Sequence, residues 1–256
     1  MGGGIQSQTK TLMKQVQCYY DEEVRLRLAK SIIMSAAHNM RANVRYYKKR
    51  KQNDILLSVE KAMNVIIKDM NDSGTVPALM LLEARLRQQY STAFSVFLSD
   101  GRFAFRQRTK RPPRDAVNAM LSFGNTILYN RLATEIIKSG LEIRIAYLHA
   151  TGNRKQSLNL DLAEIFKPLI VDRVIFTLAN KGMIDPDRDF ENTKEGGVYL
   201  GKEGKRVFIT EFERKLYQKL EADGLRISYD TLMRREVKKF KKAIDSGGSY
   251  KAYKYY

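Results

Sequence analysis

From residue 8 to residue 50 the chain runs without a proline or a glycine, and Leu12, Val16, Val24, Leu28, Ile32, Ala36 and Met40 recur mostly four apart. Such a run offers no turn and no strand alternation, so it reads as helix with one apolar face, closed by Lys48-Lys49-Arg50-Lys51. A second helical piece over 53–70 repeats Ile55, Val59, Met63 and Ile66 and stops at Asn71-Asp72-Ser73-Gly74. Residues 77–99 place Leu79, Leu82, Leu86, Tyr90, Phe94 and Phe97 on one helical face. After Ser99-Asp100-Gly101 the segment Phe103 to Arg108 alternates, and Arg111-Pro112-Pro113 forces an extended loop. Asp115 is then the N-cap of a long helix through Ser139, with Gly140 at its C′ position.

Further on, Leu141 to Leu148 alternates like a short strand or extended segment and leads into a polar loop over 149–153. Leu158 to Asn180 reads as a helix with Pro168 inside it. Val198–Leu200 and Val207–Ile209, separated by Gly201-Lys202-Glu203-Gly204, suggest a hairpin. Thr210 and Glu213 suggest a capping box for a helix to about 222, followed by a last helix from about 229 to 244. Short strands without further partners cannot build a sheet domain, so the expected fold class is mainly α: a helical bundle with a small β-hairpin. One compact domain is expected over 10–256, after a flexible leader or linker at 1–9.

Charge narrows the partners. The chain carries 46 Lys and Arg against 28 Asp and Glu, a net +18. Such a field attracts polyanions by neutralising phosphates and releasing counterions, which makes nucleic acid the leading partner. Cys18 is the only cysteine, which excludes an intramolecular disulfide and a Cys-rich zinc site and suits the cytoplasm. No run of about 20 apolar residues exists, so no membrane partner is expected.

Three acids and one histidine are candidates for chemistry. Glu83 shares a stripe with Leu79, Leu86 and Tyr90, so the helix turns a carboxylate toward its apolar side, where an unpaired charge is costly. The bland explanation is an i,i+4 pair with Arg87. Asp161 and Glu164 are neighbours on one helical face, spaced as oxygen ligands of a hard cation or as a solvated acidic edge. Pro168 cannot donate to the carbonyl of Glu164, so a kink is expected beside the acids. His149 begins a loop that could aim its imidazole into a cleft. Together these residues suggest a Mg²⁺ or Mn²⁺ site acting on phosphodiesters. Arg106, Arg108, Lys110, Arg111 and Arg114 put five cations into nine residues, a phosphate clamp unless some pair internally. The tail Tyr250 to Tyr256 interleaves rings and cations as single-strand binders do, but reads more simply as a frayed terminus.

Four stretches resemble one family, the CRISPR-associated integrases that insert new spacers into a repeat array. They are Leu82-Glu83-Ala84-Arg85 continuing to Tyr90; Arg106 to Gly124; Leu148-His149; and Ser157 to Arg173. Weaker similarity takes in the first helix, with Asn39 and Arg41, and the last, so the resemblance spans roughly 10–256. It implies that Glu83, His149 and Glu164 bind the metal and carry catalysis, with Asp161 as an auxiliary acid. Ala84 stands where the family commonly has glycine, a change a helix accepts. The family's N-terminal β-rich domain finds no counterpart before residue 10.

The implied reaction joins DNA 3′-hydroxyl ends to a CRISPR repeat by metal-dependent transesterification. Implied partners are double-stranded DNA, as prespacer and repeat, a second copy of the chain in a homodimer or higher oligomer, and the small companion protein of the adaptation complex. Two alternatives stay open: a metal-dependent DNA nuclease, and a DNA-binding structural subunit without catalysis.

Overall fold

The structure is a computed structural model that describes residues 3–149, 156–247 and 249–255, with side chains from residue 9 onward. Its helices are α1 (Gly3–Tyr20), α2 (Glu22–Lys48), α3 (Asp54–Asp72), α4 (Val76–Thr92), the single turn α5 (Phe94–Phe97), α6 (Ala116–Ser139), α7 (Leu158–Phe166), α8 (Val171–Asn180), α9 (Lys202–Tyr217) and α10 (Tyr229–Asp245). Two antiparallel hairpins complete the described elements: β1 (Phe190–Asn192) with β2 (Val198–Leu200), and β3 (Lys219–Ala222) with β4 (Leu225–Ser228). The mainly helical expectation holds.

Two long helices are the spines. Helix α2 packs against α3, α4 and α7, and α6 packs against α7, α8, α9 and α10. Short α7 is therefore wedged between them, and eight of its nine residues are buried, Asp161 and Glu164 among them. Helix α6 begins on the Asp115 carboxylate, which accepts from Asn118 N at 2.7 Å, and ends at Gly140 with φ of 80°, as the sequence indicates. Gly124 lets α6 approach closely, since a Cβ there would lie 2.7 Å from Phe208 Cζ and 2.8 Å from Val171 Cγ1. Tyr47, Tyr90, Phe94, Phe97, Phe105 and Phe176 form an aromatic cluster where α2, α4, α5 and α8 meet, with Tyr47 and Phe97 stacked at 4.4 Å.

Several boundaries differ from the sequence expectation, each for a local reason. The single helix over 8–50 is two, because the Asp21 carboxylate accepts from Val24 N at 2.9 Å and starts α2 afresh. Leu141 to Leu148 is not a strand. Its donors go elsewhere, Glu142 N to the Gln15 side chain at 2.7 Å and Tyr147 N and Leu148 N to Asp161. Residues 150–153 of the polar loop lie outside the described residues. The helix expected over 158–180 is split by the turn at 167–170 that holds Pro168.

The expected hairpin is mispaired. Val198–Leu200 pairs with Phe190–Asn192, whereas Val207 and Ile209 lie in α9. The four-residue recurrence of Gly204, Phe208, Phe212 and Leu216 buries one face of a helix and outweighs the short alternation. Thr210 is consequently mid-helix, its hydroxyl donating to Arg206 O, and caps nothing. Asp223 and Gly224, with φ of 50° and 73°, form the tight turn of the second hairpin.

The tail is not frayed. Tyr250 and Tyr253 are buried, Tyr250 Oη donates to Glu236 Oε2 at 2.6 Å, and Tyr255 N donates to Asn39 Oδ1 at 2.8 Å. Residues 250–255 form a strap across α2 and α10, so their rings and backbone are committed to the fold.

Candidate metal and phosphodiester site

Glu164 projects from α7, a helix buried on nearly every side, and its side chain is only 4% exposed. A carboxylate placed there needs positive charge around it. Lys167 Nζ meets one oxygen at 2.6 Å and Arg87 Nη2 meets the other. Arg87 comes from α4, where it also pairs through Nε with Glu83, one turn earlier. The i,i+4 pair foreseen as a bland account of Glu83 is therefore present, but the same guanidinium spans to Glu164. Burial and the Arg87 charge both push the Lys167 ammonium below the usual lysine range, with Tyr129 opposing.

His149 stands one helical turn away on the Asp161 side of α7. Asp161 is wholly buried and spends both oxygens on the preceding segment. One accepts from Tyr147 N at 2.7 Å and Leu148 N at 2.9 Å; the other accepts from His149 N at 3.1 Å and pairs with His149 Nδ1 at 2.7 Å. A carboxylate can only accept, so Nδ1 carries a proton in this pair. The acid read as auxiliary thus orients the histidine and ties down its loop, a role its spacing from Glu164 did not reveal.

The structure brings Glu83 and Glu164 to one guanidinium, and His149 to Asp161. Among the described residues, no three His, Cys, Asp or Glu side chains stand close enough together to share an ion as they are placed. The donor chemistry itself, carboxylate oxygens and an imidazole, suits Mg²⁺ or Mn²⁺.

A polar layer lies behind the acids. Asn43 donates to Pro168 O and to Tyr90 Oη, both at 2.8 Å, and accepts from Arg173 Nε at 2.8 Å. Asn39, four residues earlier, donates to Ile165 O at 2.9 Å. These amides take up carbonyls around the α7–α8 turn and so fix the turn that carries Glu164. Tyr90 Oη in turn donates to Asp172 Oδ2 at 3.0 Å. Burial pushes the Asp172 carboxyl up to about 6, against the Tyr90 hydrogen bond and the charges of Arg87, Lys167 and Arg173. Two amides on the apolar face of α2 were the available signal for this layer.

The basic loop divides into two kinds of residue. Arg108 binds Asn118 Oδ1 at 2.8 Å and Ser122 Oγ at 2.9 Å, and Arg114 donates to Glu195 O at 2.7 Å, so both guanidinia serve the fold. Arg106, Lys110 and Arg111 are exposed. Desolvation and the nearby charges of Arg108, Lys167 and Arg87 push the Lys110 amine down, so Lys110 lies near the two cations that pair with Glu164.

Comparison with known proteins gives a consistent picture. A family profile described as CRISPR associated protein Cas1 matches residues 1–214. The chain is 35% identical over 244 residues to CRISPR-associated endonuclease Cas1 2 of Thermodesulfovibrio yellowstonii, covering 94% of this chain and 73% of that one. It is 39% identical over 247 residues to CRISPR-associated endonuclease Cas1 of Clostridium perfringens, covering 95% and 73%. Among solved structures it superposes on a CAS1 protein from Thermotoga maritima with TM-score 0.82 and 32% identity, covering 94% and 72%. A casposase bound to integration product shares the fold, with TM-score 0.81 at 24% identity.

Proposed function

The chain belongs to the CRISPR associated protein Cas1 family, and from that premise we propose that it is a divalent-metal-dependent DNA integrase acting in the cytoplasm in CRISPR adaptation. The observation that carries this reading is Glu164, a carboxylate on an all-round buried helix, whose oxygens meet only cations and whose Arg87 partner also holds Glu83. A buried acid cluster of this kind is a liability to stability unless it serves a site.

Glu83, Glu164 and Nε2 of His149 are the residues that hold Mg²⁺ or Mn²⁺. When bound, the ion lowers the pKa of an attacking hydroxyl and offsets charge on the scissile phosphate. Asp161 accepts from His149 Nδ1 and so orients the ring, which leaves Nε2 as the nitrogen available to a metal. Arg106, Lys110 and Arg111 hold the duplex by its phosphates and fix its register without reading bases. In the joining reaction a DNA 3′-oxygen forms a bond to phosphorus in the repeat while the existing bond from phosphorus to 3′-oxygen breaks. The leaving oxygen departs as a new 3′-hydroxyl after taking a proton. One bond replaces another, so no external energy source is needed. The partners are double-stranded DNA as prespacer and repeat, a second copy of the chain, and the small companion protein of the adaptation complex.

The relatives' names favour one second reading, an endonuclease with water as nucleophile at the same site. Incubation of end-labelled duplex bearing free 3′-hydroxyls with a supercoiled repeat-containing plasmid separates the two. Covalently labelled plasmid in Mg²⁺ or Mn²⁺, and none in EDTA, is expected. Nicked plasmid that never carries label would give the site to hydrolysis, and DNA binding with neither product would leave a structural subunit.

A further inference from the structure

Arg87 stands between two acids borne by different helices. Its Nε pairs with Glu83 on α4 and its Nη2 with Glu164 on α7, while Lys167 Nζ takes the remaining oxygen of Glu164 at 2.6 Å. Two carboxylates and two cations balance without any ion. We infer that Arg87 is a built-in competitor for the divalent cation, an internal counter-charge that occupies the carboxylate oxygens the metal needs and must withdraw before metal binds. This inference rests on the reading of Glu83 and Glu164 as ligands.

The two cations are not equally able to leave. The Lys167 side chain is 12% exposed and its ammonium sits 5.1 Å from the centre of the Tyr129 ring, whereas the Arg87 side chain is 34% exposed. A withdrawn guanidinium remains on the side of Lys110 and offers a planar fork of donors that suits a phosphate. The exchange therefore has a logic of charge. The paired state keeps a buried carboxylate neutralised, and the open state admits a divalent ion with the displaced positive charge turned to the DNA. A ligand that binds only the open state has its apparent affinity reduced by the open fraction, so an Arg87 closed in about ninety to ninety-nine parts per hundred weakens metal binding by roughly 10- to 100-fold.

The test measures Mn²⁺ binding directly, by the loss of the free-ion paramagnetic resonance signal, on the full chain and on Arg87→Gln, Arg87→Lys and Glu164→Gln. Arg87→Gln is expected to bind Mn²⁺ at least about tenfold more tightly than the unsubstituted protein. It should also melt at lower temperature without metal and gain more from added Mn²⁺. Arg87→Lys, which keeps charge but not the two-sided fork, is expected to lie between; if Arg87→Gln does not fold without metal, Arg87→Lys is judged by the direction of the same affinity change. Unchanged or weaker Mn²⁺ binding in these variants, with binding abolished by Glu164→Gln, overturns the inference alone. Mn²⁺ binding that is absent in the unsubstituted protein, or indifferent to Glu164→Gln, overturns the metal-site reading beneath it.

Discussion

Glu83, Arg87, Glu164 and Lys167 meet at one point, and the charges of Arg87, Lys167 and Arg173 reach back to Asp172 behind it. Asp172 also faces the Tyr90 hydroxyl, and none of these partners outweighs its burial, which lifts it from an ordinary 3.8 to about 6. The sign of the consequence is fixed. Below pH 3.8 folded and unfolded chains both hold the proton; between 3.8 and about 6 only the folded chain does, so stability falls as pH rises through that window. Above it the ionised acid costs the fold on the order of 3 kcal/mol. Asp172→Asn has no such proton to lose. Denaturant unfolding at about pH 3.5 and about pH 7 should show its stability relative to the unsubstituted protein rising by about 3 kcal/mol between the two, and a pH-independent difference would refute the assignment. At this scale the sequence marks the acids well, because a glutamate on an apolar stripe and an i,i+3 acid pair are visible as pattern. It does not mark Arg87 as a bridge, nor Asp161 as a clamp on His149, because both roles depend on which helix lies opposite.

At the scale of elements, helices with a long apolar period or a matched cap and C′ glycine, such as α3, α6 and α10, are legible from sequence alone. The breaks are not. One N-capping side chain at Asp21 divides a run that has no helix breaker, and the turn at 167–170 divides another. The hairpin error has a plain cause. Three-residue strands carry too little alternation to compete with a helix whose buried positions recur every four residues, and Asp223-Gly224, the stronger turn signal, lies farther on. The strap was misread because rings at a chain end look unanchored until α2 supplies their partners. Asn39 connects these elements, with one side-chain end on Ile165 O beside Glu164 and the other on Tyr255 N of the strap. Asn39→Ala leaves the buried Ile165 carbonyl and the half-buried Tyr255 N–H without that partner, at about 1–3 kcal/mol for the buried group and less for the other. Thermal unfolding should report a loss of roughly 1–4 kcal/mol, and hydrogen exchange at Tyr255 should quicken while α3 is unaffected. A loss below about 0.5 kcal/mol, within the range of an ordinary surface substitution, would mean that the strap is held without Asn39.

For the molecule as a whole, a +18 chain exposes Arg106, Lys110 and Arg111 on one loop, with Lys110 near Arg87 and Lys167 of the acid cluster, and the proposed function assigns the loop to holding DNA and the acids to reacting with it. The chain spans 73% of the length of each of the two endonuclease relatives described above. Among the described residues no helix is long and apolar enough to cross a membrane. The division of labour is what makes the functional account testable, since binding and joining should be separable by substitution. The decisive measurement compares DNA affinity and strand joining at saturating DNA in Glu164→Ala and in the triple Ala variant of Arg106, Lys110 and Arg111. Glu164→Ala should keep affinity within about threefold, under about 1 kcal/mol, and lose joining by at least about a hundredfold. The triple variant should bind more weakly, with a log–log salt dependence flatter by up to about one for each lost phosphate contact, and should still join once saturated. Glu164→Ala that joins DNA at the unsubstituted rate, or that loses affinity and joining in parallel, would contradict the claim that this acid belongs to the reacting site.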